Sequence, residues 1–203
     1  MECIPIVHGD VWRTDNVGSD EEHMQLLSFI KDLYSTTPEV TKTPSNIGCW
    51  RHPIDLSDYP WLKASIDASL EILMNEYSGS FTASKNGYNL SSWINVNAPT
   101  SRNVIHNHLG STFSGVYYLQ AEETGAVTFY PPLVIASGLN AFNGTFGYDI
   151  TPYSQSRSVD PKDKMLIMFP SWLPHEVEVN NSGNERINIA FNITPIIEEE
   201  RAN

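Results

Sequence analysis

The sequence predicts a mainly β protein of the jelly-roll type, braced near its N-terminus by two helices. From Leu90 onward, β-branched and aromatic residues come in short runs separated by Gly, Pro, Asn and Asp. Their spacing is roughly the 8 to 12 residue rhythm of a sandwich or barrel. In the first eighty residues the strong periodicity is helical instead, and it occurs in two segments.

The first helix starts at a capping box, in which the Ser19 hydroxyl serves the third helical N–H and Glu22 reaches back to the cap. Leu26, Leu27, Ile30, Leu33 and Tyr34 then recur at helical spacing until the Pro38 region stops them. In the second helix Pro60 suits the first turn, where its missing N–H costs nothing. Leu62, Ile66, Leu70, Leu73 and Tyr77 form its apolar stripe, and Ser78-Gly79 ends it. Helices with one apolar stripe pack against a sheet.

The strand runs are Leu90 to Asn97, Arg102 to His108, Thr112 to Leu119, Gly125 to Tyr130, Ser156 to Val159, Lys164 to Phe169, His175 to Val179 and Arg186 to Ile193. Eight is the strand count of a jelly roll. Between Pro131 and Ser154 lies an Asn- and Gly-rich stretch without periodicity, of the length of a lid or an insertion. The Glu198-Glu199-Glu200 end reads as a solvated tail.

With 203 residues, 40% of them hydrophobic, the chain is expected to form one domain over 1–203. Residues 1–80 supply helical and strand supports, and 88–195 the jelly-roll core. A net charge of -12 argues against nucleic acid or an anionic membrane as partner, since both would be repelled. A small molecule or a peptide or protein segment fits better as substrate. Two cysteines, Cys3 and Cys49, make no disulfide framework, and MECIPIVHGD lacks the features of a secretory signal. A cytoplasmic location, in a bacterium or a phage-infected host, is expected. Apolar stretches such as Met165 to Phe169 are far short of the ~20 residues that span a bilayer. The sequons at Asn89, Asn143, Asn180 and Asn192 read as chance occurrences.

His106 and His108 sit two apart in a strand run, so their side chains leave one face and can reach one ion. His175 follows the turn-forming Pro170 to Pro174 and opens another strand. Imidazole suits iron, copper, nickel and zinc alike, so these residues do not choose the metal. Arg186 enters a strand with apolar alternate neighbours. There a guanidinium is costly to bury unless it meets an anion, either a bound carboxylate or Glu176, Glu178 or Glu185. Either Tyr117 or Tyr118 faces the barrel interior, and Tyr118 shares its face with Ser114 and Val116. Asn95, Asn97, Ser114 and Trp172 are the residues expected to line a substrate pocket at the barrel mouth.

The runs Trp93 to Asn97, His106-Asn-His108, Ser114 to Leu119, Gly125 to Phe129, Phe169 to His175 and Arg186 to Asn192, with Ser45 to Trp50 upstream, resemble a 2OG-Fe(II) oxygenase family found in marine bacteria and cyanophages. More distantly, their order is similar to that of prolyl hydroxylases. The resemblance implies a cupin-like double-stranded β-helix that binds Fe(II), takes 2-oxoglutarate and O2 as co-substrates, and hydroxylates a C–H bond with formation of succinate and CO2. It further implies His106 and His175 as iron ligands, with Arg186 and Tyr118 holding the distal carboxylate of 2-oxoglutarate.

One departure stands out. The wider superfamily has His-x-Asp or His-x-Glu, whereas this chain has His108 where the carboxylate would stand. Either His108 is the third ligand or it stands behind the ligands and a carboxylate from elsewhere completes the set; with nothing acidic at the matching spacing, the first is expected. Two other readings compete: a three-histidine cupin-type metalloenzyme that does not use 2-oxoglutarate and has no need of Arg186, and a non-enzymatic jelly-roll binding or structural module.

Overall fold

The computed structural model describes residues 10–37, 45–78, 87–130 and 156–196. The 131–154 stretch, Cys3 and the Glu198–Glu200 end lie outside them. Helix α1, Asp20–Thr36, begins as expected: the Ser19 hydroxyl accepts from the Glu22 N–H at 3.2 Å, and Glu22 accepts from the Ser19 N–H at 2.8 Å. Leu26, Leu27 and Ile30 are buried. Helix α2, Pro60–Ser78, buries Leu62, Ile66 and Leu73 completely and packs Leu70 against the same core. The side chain of Tyr77, expected in that stripe, is outside the described set.

Nine strands follow one another in the described chain: β1 Trp12–Thr14, β2 Asn46–Pro53, β3 Tyr88–His106, β4 Phe113–Gln120, β5 Val127–Phe129, β6 Arg157–Val159, β7 Leu166–Pro170, β8 His175–Val177 and β9 Arg186–Pro195. They pair antiparallel in the order β1-β7-β4-β9-β3-β8-β5-β6, with β2 added along β3. The result is a curled half-barrel of the double-stranded β-helix kind, with the helices against its outer face.

Sequence and structure differ in three places, the first being β1, which pairs with β7 and was not among the expected runs. The runs expected at Leu90 to Asn97 and Arg102 to His108 are one strand, β3, whose first half pairs with β9 and whose end pairs with β8. The Ala98-Pro99-Thr100 break between them is a bend inside the strand: Thr100 takes φ 72, and its N–H donates to the Asn180 carbonyl at 2.8 Å. The pairing with β2 is irregular across the same stretch, which frees the Pro99 nitrogen from any ladder requirement. Strand β2 was expected only as a motif, because Gly48, Arg51 and His52 interrupt any apolar alternation.

Alternation along the strands sorts side chains into two cores. Tyr117 and Leu119 of β4 and Leu166 and Met168 of β7 join α1 and α2 in the outer core. Tyr118 of β4 and Ile167 and Phe169 of β7 face the opposite way, with Val127, Phe129 and Leu173, in a smaller inner core. That inner core is the floor of the site.

Candidate metal centre

The ladder between β3 and β8 sets His106 directly opposite His175. His108 lies two residues past the end of β3 rather than within it, and its backbone N–H donates to the Ser171 carbonyl at 2.8 Å. That anchor turns its ring back toward the other two. One nitrogen from each of the three histidines lies within 4.8 Å of the others, and the ring centres are 4.4 to 5.2 Å apart.

Each ring is oriented from behind. His106 Nδ1 faces the Val104 carbonyl at 2.7 Å, His175 Nδ1 the Leu173 carbonyl at 3.0 Å, and His108 Nδ1 the Asn192 side-chain oxygen at 2.8 Å. A carbonyl oxygen has no proton to give, so each Nδ1 carries one and each Nε2 presents a lone pair. Metal-binding histidines carry this kind of support in their outer shell. Burial is the main reason all three resist protonation. It holds His175 down to about 3 and His108 to about 4, with the neighbouring His106 adding to both, and it lowers His106 as well. Three neutral donors with no carboxylate among them therefore face one point.

They open on a cavity of about 310 Å³ that also contains Arg186 and Tyr118. Arg186 is 1% exposed. Its Nη1 donates to the Thr124 carbonyl at 2.9 Å and approaches that of Gly125 at 3.4 Å, but its Nη2 has no hydrogen-bond partner. No other buried side-chain polar atom among the described residues is left in that condition. Nor does Arg186 form an ion pair there with Glu176, Glu178 or Glu185. Tyr118, 3% exposed, lies close enough to feel the Arg186 charge, and burial keeps its hydroxyl protonated by pushing it up to about 12. Tyr117 points into the outer core, where its hydroxyl meets His23 Nδ1 at 3.0 Å and donates to the Val17 carbonyl at 3.2 Å.

Of the residues expected around a substrate, Asn95, Asn97 and Ser114 line the cavity. Asn95 donates to Asn188, and Ser114 donates to Asn192 at 2.8 Å. Trp172 does not line it. In the turn after β7, Ser171 is the residue that points inward, within 2.7 Å of Ser114, so Trp172 turns outward and is 38% exposed.

Sequence reasoning missed Asn188, Asn192, Trp93 and Arg51, all of which line the cavity. The two asparagines follow Arg186 at even spacing, so alternation alone would have placed them on its face. Arg51 had no such signal, because it depends on the register of β2.

The fold is that of the double-stranded β-helix oxygenases. It resembles a Pseudomonas putida prolyl-4-hydroxylase with a TM-score of 0.64 at 15% identity, over 92% of this chain and 93% of that one. A Trichoplax adhaerens prolyl hydroxylase, solved with a hypoxia inducible factor peptide fragment, gives 0.64 at 13% over 91% and 83%. HygX from Streptomyces hygroscopicus, solved with nickel and 2-oxoglutarate, gives 0.57 at 14% over 92% and 83%. At the level of sequence, residues 91–192 match the family described as "Putative 2OG-Fe(II) oxygenase", and the chain belongs to that family. No curated protein matches it. No helix among the described residues is long and apolar enough to cross a membrane.

Proposed function

We propose that this family member is an Fe(II)- and 2-oxoglutarate-dependent hydroxylase, converting a C–H bond of a small-molecule or peptidyl substrate with release of succinate and CO2. The observation that carries the reading is Arg186: a buried guanidinium with one nitrogen unbonded, in the same cavity as three convergent imidazole lone pairs. Leaving such a group unpaired costs a few kcal/mol, and a carboxylate received there removes that cost.

The residues present fit both groups. His106, His108 and His175 would hold Fe(II) through Nε2, and Arg186 with the Tyr118 hydroxyl would take the distal carboxylate of 2-oxoglutarate. Bound iron and 2-oxoglutarate supply the oxygen chemistry that no side chain here can perform. The chain's own part is orientation and exclusion of water. Phe169 and Phe129 pack 4.7 and 5.8 Å from the His175 ring and wall its far side. Carbonyl oxygens hold the three Nδ1 protons away from the metal position, so no ring must rotate or lose a proton to bind. With three neutral ligands, the protein would balance none of the metal's charge, and Arg186 would meet only the distal carboxylate of the co-substrate.

The all-histidine donor set also suits a cupin-type enzyme without 2-oxoglutarate. An anaerobic titration with Fe(II) and then 2-oxoglutarate, followed by oxygen and a succinate assay, separates the two. Wild type is expected to bind both and form succinate, and His175→Ala to lose metal and product together. Metal binding without 2-oxoglutarate binding or succinate would favour the cupin-type reading and overturn this one.

A further inference from the structure

Seven of the described residues that line the cavity are asparagines and none is Asp or Glu, so the direction in which each amide is held decides much of what the wall can bind. A side-chain amide accepts on one side and donates on the other, and a neighbour that engages one side leaves the other to a ligand. Two amides on β9 show this pattern. The Asn188 oxygen accepts from the Asn95 amide at 3.0 Å, and the Asn192 oxygen accepts both the His108 Nδ1–H and the Ser114 hydroxyl at 2.8 Å. The nitrogen of each has no hydrogen-bond partner among the described residues, and both side chains line the cavity.

The two differ in place. Asn188 adjoins Arg186, the end that the co-substrate fills in the proposed enzyme. Asn192 lies four residues further along β9 and is bonded to a candidate metal ligand, so its NH2 group is fixed relative to the metal position. It is also held firmly: both lone pairs of its oxygen are taken, and the Ser114 hydroxyl that takes one lies 2.7 Å from that of Ser171. A donor fixed beforehand is paired at little entropic cost.

We infer that the substrate carries a neutral carbonyl oxygen, as of an amide, ketone or ester, and that Asn192 Nδ2 donates to it beside the metal position. This rests on the function proposed above for the same cavity. An uncharged donor suits an uncharged acceptor: a carboxylate taken out of water needs a cation to offset its desolvation, and an ammonium group would meet a second donor at Asn192. Asn192 thus orients His108 through its oxygen and the substrate through its nitrogen. It is a specificity residue, and the carbon presented to the metal is set by its distance from that carbonyl.

The test is calorimetric titration under nitrogen of protein supplied with Fe(II) and 2-oxoglutarate. Cyclopentanone is compared with methylenecyclopentane and cyclopentylammonium, which carry the same ring without the acceptor. The ketone should bind about fivefold or more tighter than either, the size of one buried hydrogen bond. Asn192→Asp keeps an oxygen for His108 and Ser114 but puts an acceptor where the donor was. It should therefore retain the metal in chelator competition and reverse the order, binding cyclopentylammonium tightest. Thermal unfolding of the variant is followed in parallel, and the wild-type comparison stands whether or not the variant folds. Equal binding of ketone and methylenecyclopentane to wild type, no binding of the ketone, or a ketone preference that survives in Asn192→Asp would overturn the inference. A parallel titration of 2-oxoglutarate keeps the two proposals apart. Its failure with the ketone preference intact removes the co-substrate reading, and its success without that preference removes only the carbonyl substrate.

Discussion

Asn192 accepts the Nδ1–H of His108 at 2.8 Å, which makes His108 the one ring of the three positioned by a side chain rather than by its own backbone. Asn192→Leu should therefore loosen His108 alone. Loss of such outer-shell support typically costs about 10- to 100-fold in metal affinity. Competition with a chelator should show a drop of that size. An unchanged affinity would mean that His108 does not bind the metal.

Arg186→Met offers two effects of opposite sign. Removing a buried cation with an unbonded nitrogen relieves a desolvation cost, so the urea midpoint without ligands should hold or rise. Losing one partner of a buried charge pair costs about 2 to 5 kcal/mol in binding, so 2-oxoglutarate affinity should fall at least thirtyfold. A variant that is unstable and still binds 2-oxoglutarate would assign Arg186 to the fold alone.

Acid should weaken the metal-free protein. His175 and His108 titrate in the folded state near about 3 and 4, and His106 and His23 are also lowered, all chiefly by burial. The unfolded chain, with histidines near their ordinary value of about 6.5, takes up protons first as pH falls. The stability these groups contribute is full above about pH 6.5 and is lost progressively toward the folded values, by up to about 1.4 kcal/mol per pH unit for each histidine that stays neutral. Urea unfolding at pH 7.5 and pH 5.0 checks this, and equal midpoints would contradict it.

Gly115, on the cavity wall, tests the packing of the sheet beneath it. A Cβ there would meet the Phe191 ring at 2.3 Å and the Ile167 carbonyl at 2.7 Å. Gly115→Ala should destabilise by about 1 to 3 kcal/mol, measured by urea unfolding. A neutral result would show that β4 and β7 can separate locally at no cost.

Much of this was legible in the sequence because local rules and long-range outcome agreed. The capping box at Ser19, the stripes of α1 and α2 and the even spacing within β4 all point to one packing. The approach of His106, His108 and His175 was readable in part: the two-residue spacing and the turn before His175 put three imidazoles within reach of one point, although His108 reaches it from beyond the end of β3. What escaped was whatever depends on pairing between distant segments. Arg51 reaches the cavity only through the register of β2 on β3, and β2 has a polar inner face, so it lacks the apolar alternation by which strands are recognised. The unity of β3 was hidden by Pro99, which normally ends a strand and here sits in an irregular stretch where no donor is missed. Trp172, expected at the barrel mouth, does not line the cavity, because the tight turn after β7 gives the inward position to Ser171.

The length of β3 has one more consequence. The same strand pairs Asn97 with Arg186 on β9 and His106 with His175 on β8, so one strand carries both ends of the cavity across the bend at Ala98-Pro99-Thr100. A change in the length or register of β3 would therefore move Arg186 and the imidazoles relative to one another, which no exchange of a single side chain around the cavity would do.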